Sequence, residues 1–244
     1  MKSSTQGLEA TCSKDQKSDD LNKVVIYGGN GFVGTHVAKA LSEKGVCTAC
    51  LSRSGHRPLH LLGEKWSEQV RWCKGDALKP DISLLKRITG MVCLVGSPPT
   101  PTTSSDAFNA QVIANGETNA TAIKAAGEAG VKRLVLIGAR IPFFLNSDRF
   151  AYARGKRIAI EAAKEFSELS PEHRAVVIQP GVILGKRFLK SGKSIPLGKI
   201  FGPMPYIMPW QFICVKKLAE RIACEMICEN KSRKQFIVIE NSKI

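Results

Sequence analysis

Residues 24–34 read Val24-Val25-Ile26-Tyr27-Gly28-Gly29-Asn30-Gly31-Phe32-Val33-Gly34. A β-branched run enters a turn with glycines at 28, 29, 31 and 34, and an amphipathic stretch with apolar Val33, Val37, Ala38, Ala40 and Leu41 follows. The order is strand, glycine turn, helix. Gly28 and Gly29 suit a tight turn that tolerates positive φ. Gly31 lets the backbone approach a pyrophosphate, and Gly34 lets the helix pack close to the strand. The free amides at the start of the helix, reached through Asn30, Phe32 and Val33, then face the phosphates, aided by about half a positive charge of helix dipole. A glycine triplet alone says little; between a strand and a helix it reads as a dinucleotide site, with a ligand-free structural turn as the weaker alternative.

The rest of the chain fits that opening. Its 244 residues, 43% hydrophobic, suffice for one well-buried core. No apolar run approaches the length of about 18 residues that spans a bilayer. The formal net charge is +15. Residues 1–22 carry Lys2, Lys14 and Lys17 against Glu9, Asp15, Asp19 and Asp20, so the excess lies further on. Such a field favours a phosphorylated cofactor or an acidic membrane surface. Nucleic acid is not expected, since no binding motif or aromatic interleaving accompanies the basic residues. The eight cysteines follow no secretory signal and read as thiols. Cys47 and Cys50 are three apart in a strand and point to opposite faces, so no metal site is expected there. His56 and His60, with Pro58 between them, read as a solvated loop.

Residues 1–22 are polar and expected to be disordered; four acids interrupt any transit-peptide pattern. From Lys23 onward, strands are expected near 23–28, 46–51, 70–73, 91–95, 133–138 and 175–178. Helices are expected near 32–44, 81–88, 107–129, 151–168 and 215–229. This alternation predicts an α/β fold, a doubly wound parallel sheet with helices on both faces. The division is a tail over 1–22, a nucleotide-binding domain over 23–185 and a small C-terminal lobe over 186–244 that completes the same domain. The loop at 97–105 follows the fourth strand, where ligands of such sheets bind.

Over residues 23–244 the chain resembles the short-chain dehydrogenases/reductases (SDRs) of extended or atypical kind, which have a Rossmann fold. Gly28-x-x-Gly31-x-x-Gly34 matches the family's first turn, and Leu51-Ser52-Arg53-Ser54-Gly55 the end of the second strand in NADP-preferring members. Gly75-Asp76, followed by Ala77, stands where the family places an aspartate near the adenine. Gly96 and Ser97 follow the fourth strand. Asn115-Gly116-Glu117-Thr118-Asn119 resembles the next helix. Tyr152-x-x-x-Lys156 matches the catalytic pair, and Gln179-Pro180-Gly181 the turn after the sixth strand. A narrower likeness is to organellar members, among them a plastid plastoglobule-associated protein and a mitochondrial protein tied to ubiquinone synthesis. A nucleotide-binding accessory subunit of respiratory complex I is a more distant relative. The resemblance implies a mitochondrial or plastid protein, with the cytoplasm left open.

The resemblance also assigns roles. Tyr152 is the proton donor or acceptor at the substrate oxygen. Lys156, one helical turn on, lowers the tyrosine pKa and holds the nicotinamide ribose. The cofactor is NADP rather than NAD, because Ser52, Arg53 and Ser54 replace the carboxylate that NAD binders offer the ribose. Gly28, Gly29, Asn30, Gly31, Phe32, Val33, Gly34, Asp76, Ala77, Gly96, Ser97, Pro180 and Gly181 complete the cofactor set. The chain departs from the family at Ala139, where a serine hydroxyl normally meets the reacting oxygen; Ser147 is near in sequence only. Two readings stay open. One is an NADPH-dependent reductase of a carbonyl or quinone-type lipophilic substrate. The other is a non-catalytic nucleotide-binding protein of a membrane-associated complex. Residues 195–215 are apolar with four prolines, which forbid a long helix. They read as a cover over the core in preference to a lid for a lipophilic substrate. With Lys186, Arg187, Lys190, Lys193 and Lys199 they also suit a membrane surface.

Overall fold

The computed structural model describes residues 23–189, 193–227 and 234–244. The expectations for residues 1–22, for Lys190, for Cys12 and Cys228 and for the end of the last helix lie outside them. Six strands come first: β1 Lys23–Tyr27, β2 Cys47–Ser52, β3 Arg71–Lys74, β4 Gly90–Cys93, β5 Arg133–Ile137 and β6 Arg174–Gln179. Interleaved with them are α1 Phe32–Ser42, α2 Lys65–Glu68, α3 Ile82–Leu85, α4 Ser105–Val112, α5 Thr118–Glu128 and α6 Ala151–Glu168. After β6 come β7 Val182–Leu184, β8 Lys186–Phe188, β9 Ser194–Pro196, the single turns α7 Leu197–Ile200 and α8 Met204–Ile207, β10 Phe212–Cys214, α9 Val215–Ile227 and β11 Phe236–Glu240.

The main sheet has seven strands in the order β11-β6-β5-β4-β1-β2-β3, every pair parallel. The order reverses between β1 and β4, which is where such sheets open a crevice for a ligand. Alternate residues of each strand feed two cores. Val24, Ile26, Cys50, Val92, Val135 and Val176 meet α1 and α9, through Val37, Leu41, Leu218, Ile222 and Met226. Val25, Tyr27, Leu51, Met91, Leu134 and Val177 meet α5 and α6, through Ile123, Ala126, Ala159, Ala163 and Phe166. Both faces are covered, so the strands read as continuous apolar runs and not as alternation.

The expected doubly wound sheet is present, with a seventh strand, β11, that the sequence reading lacked. Phe236 pairs with Ala175 and Glu240 with Gln179 at the sheet edge. The helix expected over 107–129 starts at Ser105, capped by Ser104, and is broken by a π turn over Ile113–Glu117. His60 stands half-buried on the short turn Leu59–Leu61, and its ring stacks on the exposed Phe188 with centroids 3.9 Å apart and the planes 6° from parallel. The 195–215 segment forms single helical turns and the short strands β9 and β10, with no long helix, as its prolines require. It does not simply cover the core. Phe201 packs on Phe212 and Ile213 is buried, while Ile200, Tyr206, Ile207 and Trp210 face outward.

Candidate cofactor and active site

The glycine turn is built by close contacts. Gly28 has φ +82, and a Cβ there would lie 3.1 Å from the Leu94 carbonyl. A Cβ on Gly29 would overlap Cys50, and one on Gly34 would overlap the backbone of Gly28 and Gly29. The amides of Gly28 and Gly31 are consumed in the turn, donating to the carbonyls of Leu51 (2.9 Å) and Gly28 (3.0 Å). The first helical bond of α1 runs from Thr35 to the Gly31 carbonyl. The amides of Phe32, Val33 and Gly34 therefore have no acceptor within the helix. No side chain caps this end, and no acid lies in its first turn. An uncapped, acid-free helix start beside an exposed Gly31 fits a diphosphate.

Asn30 reaches the next loop, where its Nδ2 donates to Ser54 Oγ at 3.0 Å. Ser52 Oγ accepts the Gly55 amide and lies 3.4 Å from Ser54 Oγ. Arg53 is exposed beside them. The Gly75 amide donates to the Ser52 carbonyl, which brings the end of β3 to this loop. There Asp76 is half-buried with Oδ1 accepting the Leu78 amide, and Ala77 is buried.

The other half of the site depends on a near-contact of helices. Gly116 and Gly155 face each other so closely that a Cβ on Gly116 would lie 2.7 Å from the Gly155 carbonyl oxygen. The π turn there aims Asn115 at the loop after β4. Its Oδ1 accepts the Ser97 amide, and its Nδ2 donates to Ser97 Oγ at 3.0 Å. Asn119 donates to the Val95 carbonyl. In the sequence Asn115 stands out only as part of a family likeness. An Asn-Gly pair inside a helix is the local signal that marks it, since both residues are poor helix formers.

Tyr152 and Lys156 stand on the first turns of α6, with the Lys156 Nζ 5.6 Å from the Tyr152 ring centroid. Nζ donates to the Ile137 carbonyl at 3.0 Å and lies near Gly96, 3.8 Å from where a Cβ on that glycine would be. The expected lowering of the tyrosine pKa is corrected: burial pushes it up to about 12. The reason is that desolvation of the phenolate dominates, while Lys156 is held on a backbone carbonyl. Burial also pushes Lys156 down to about 8. Ala139 and Lys156 line a cavity of about 600 Å³, with Arg140, Ile141, Gln179 and Trp210 around them. Ser147 is exposed in the turn beyond and is not among the lining residues. Pro180 is buried and its carbonyl accepts the Arg140 amide; the Gly181 amide is taken by Asn241 Oδ1 at 2.8 Å. Gly181 thus serves to anchor the C-terminal segment.

Residues 24–200 match the model of the NAD dependent epimerase/dehydratase family. The chain belongs to this family. The likeness to atypical SDRs stands with it, and a nicotinamide dinucleotide is the cofactor its fold is built for. Among curated relatives, an uncharacterized chloroplastic protein of Arabidopsis thaliana is 35% identical over 198 residues, which is 79% of this chain and 60% of that protein. MIOREX complex component 2 of Saccharomyces cerevisiae is 33% identical over 78 residues, 30% of this chain and 28% of that one. The chain thus spans less than two thirds of either relative. Solved structures share the fold. ElxO, as a tyrosine-to-phenylalanine variant with NADPH bound, gives a TM-score of 0.69 at 17% identity over 91% of this chain and 98% of its own. An SDR of Serratia marcescens gives 0.65 at 16% identity over 89% and 95%. MoeE5 with UDP-glucuronic acid and NAD gives 0.63 at 17% identity over 89% and 75%.

Proposed function

We propose that this protein is an NADPH-preferring reductase of an apolar carbonyl or quinone-type compound, working in a mitochondrion or plastid. The observation that carries this reading is that Lys156 Nζ, 5.6 Å from the Tyr152 ring and close to Gly96, lines a cavity large enough for a small organic substrate, while the glycine turn leaves the start of α1 open. The cofactor, when bound, supplies the hydride. Phe32, Val33 and Gly34 offer amides to its diphosphate, and Ser52, Arg53 and Ser54 offer donors to a 2′-phosphate. Lys156 offers its ammonium to the nicotinamide ribose. Tyr152, with its pKa raised to about 12, is fully protonated at neutral pH. That state suits reduction, in which the phenol gives its proton to the substrate oxygen as negative charge develops there. Ala139 contributes no hydroxyl, so Tyr152 holds that oxygen without the second donor the family usually offers.

The absent hydroxyl also favours a second reading, a nucleotide-binding accessory protein of a membrane-associated complex in which Tyr152 and Lys156 only hold the cofactor. NADPH oxidation against a panel of aldehydes, ketones and quinones separates the two. Turnover that Tyr152→Phe abolishes, with cofactor affinity kept, supports the reductase. NADPH binding with no turnover on any compound supports the accessory role. Mass spectrometry of small molecules retained on native purification reads the cofactor directly.

A further inference from the structure

In a parallel sheet every strand ends at the same edge, and here that edge carries large exposed apolar side chains. Phe143 and Phe144, 90% and 70% exposed, stand on the turn after β5. Ile200, Tyr206, Ile207 and Trp210 stand on the excursion after β6, all at least half exposed. The two segments are tied together, because Arg140 Nη1 donates to the Trp210 carbonyl oxygen at 2.9 Å. Arg140, Ile141 and Asn146 of the first segment and Trp210 of the second line the cavity beside Lys156.

The charge on the excursion after β6 is of one sign, with Glu240 on β11 the acid that lines the cavity beside Trp210. From His173 to Ala219 the sequence holds no aspartate or glutamate, while Arg174, Lys186, Arg187, Lys190, Lys193, Lys199, Lys216 and Lys217 are all cationic. Lys186, Arg187, Lys193 and Lys199 are exposed on the excursion itself. In the first segment the single acid, Asp148, is paired with Arg157, and Arg149 next to it is exposed. Exposed aromatic and aliphatic tips, with exposed Lys186, Arg187, Lys193 and Lys199 on the same excursion, match an anionic lipid surface: the tips enter the headgroup layer and the cations meet its phosphates. The apolar groups sit on separate short turns, so they offer a partner protein no continuous groove or helix face.

We propose that this edge docks on an anionic bilayer, with the Phe143–Phe144 turn and the 200–210 excursion in the headgroup layer and the cavity bordered by Ile141 and Trp210 next to it. Docking stands independently of the chemistry proposed above; only the further step, that an apolar substrate enters from the lipid, rests on it. NADPH titration without vesicles reads the cofactor site separately, so the two can fail separately.

The test is flotation of the full chain with phosphatidylcholine vesicles, alone or mixed with phosphatidylglycerol. Two variants accompany it, Phe143→Ser/Phe144→Ser and Lys186→Gln/Arg187→Gln/Lys199→Gln. All five side chains are exposed, and a melting curve checks that folding is kept. The protein is expected to float with the mixed vesicles at low salt and to be released as salt rises, since screening shortens to about 8 Å at physiological ionic strength. Each variant is expected to lose at least about tenfold in partitioning. No flotation at low salt overturns the proposal, as does flotation equal on neutral vesicles or unchanged in both variants. Sedimentation adds a further arm: a dimer that Phe143→Ser/Phe144→Ser turns into a monomer, without lipid binding, would mean that the face pairs two copies of the chain and that the proposal is wrong.

Discussion

Arg53 is the residue on which cofactor choice turns. It stands exposed beside Ser52 and Ser54, where a carboxylate would repel a 2′-phosphate. Charge-assisted hydrogen bonds contribute about 1.5–3 kcal/mol. NADPH should therefore bind roughly ten- to a hundredfold more tightly than NADH. Arg53→Ala is expected to remove most of that preference while leaving NADH affinity unchanged, as calorimetric titration of both cofactors would read. Lys156 gives a pH signature. Its ammonium is disfavoured by burial, so its folded pKa, about 8, lies below its ordinary 10.5. Between these values the unfolded chain binds more protons, so stability without cofactor rises with pH through this window. Cofactor affinity should move the other way, falling as the ammonium is lost above about pH 8. Lys156→Met should flatten both slopes. An affinity that holds constant to about pH 10 would show that the charge plays no part in binding.

The element that positions the site is the paired contact of the π turn with α6. Gly155 faces Asn115 and Gly116, with a Cβ on it lying 3.0 Å from the Asn115 Cβ. Gly155→Val should force the helices apart, at a cost of about 1–3 kcal/mol of stability. It should also weaken cofactor binding, because Asn115 then loses its hold on the Ser97 loop. Thermal melting and titration of the same sample read both effects. Unchanged melting would mean that the helices are free to separate. At this scale the sequence was legible wherever the signal was local. The glycine turn, the α1 stripe and the Tyr152–Lys156 spacing all lie within a few residues. The π turn has one local mark, the Asn115-Gly116 pair, but its role is not legible, because Asn115 meets Ser97 only through tertiary packing. The raised tyrosine pKa is hidden from the sequence for the same reason: it depends on how much protein surrounds the ring.

At the scale of the molecule, the C-terminal segment is part of the same sheet and core. α9 packs against α1, and β11 forms the edge strand. A nearly buried ion pair joins the two ends of this arrangement: Glu225 on α9 accepts from Arg174 on β6 at 2.8 Å and from Arg221 at 3.0 Å. Removing one partner strands the other charge. Glu225→Ala should therefore destabilise the fold by about 3 kcal/mol, more than the ~1 kcal/mol of an exposed pair. Chemical denaturation checks this; a loss under about 1 kcal/mol would mean that water reaches the site.

The sequence by itself determined the parallel α/β architecture, the glycine turn and the spacing of Tyr152 and Lys156, since each is written in neighbouring residues whose backbone preferences and periodicity act locally. Tertiary structure alone decided the rest. β11 reads as an ordinary apolar run until it is seen beside β6, a pairing far away along the chain. The partner of the His60 ring is invisible until Phe188 is placed against it. The outward turn of Ile200, Tyr206 and Trp210 is equally hidden in a stretch whose composition alone favours burial. In each case the deciding energy comes from contacts between distant segments, and such contacts leave no period in the sequence.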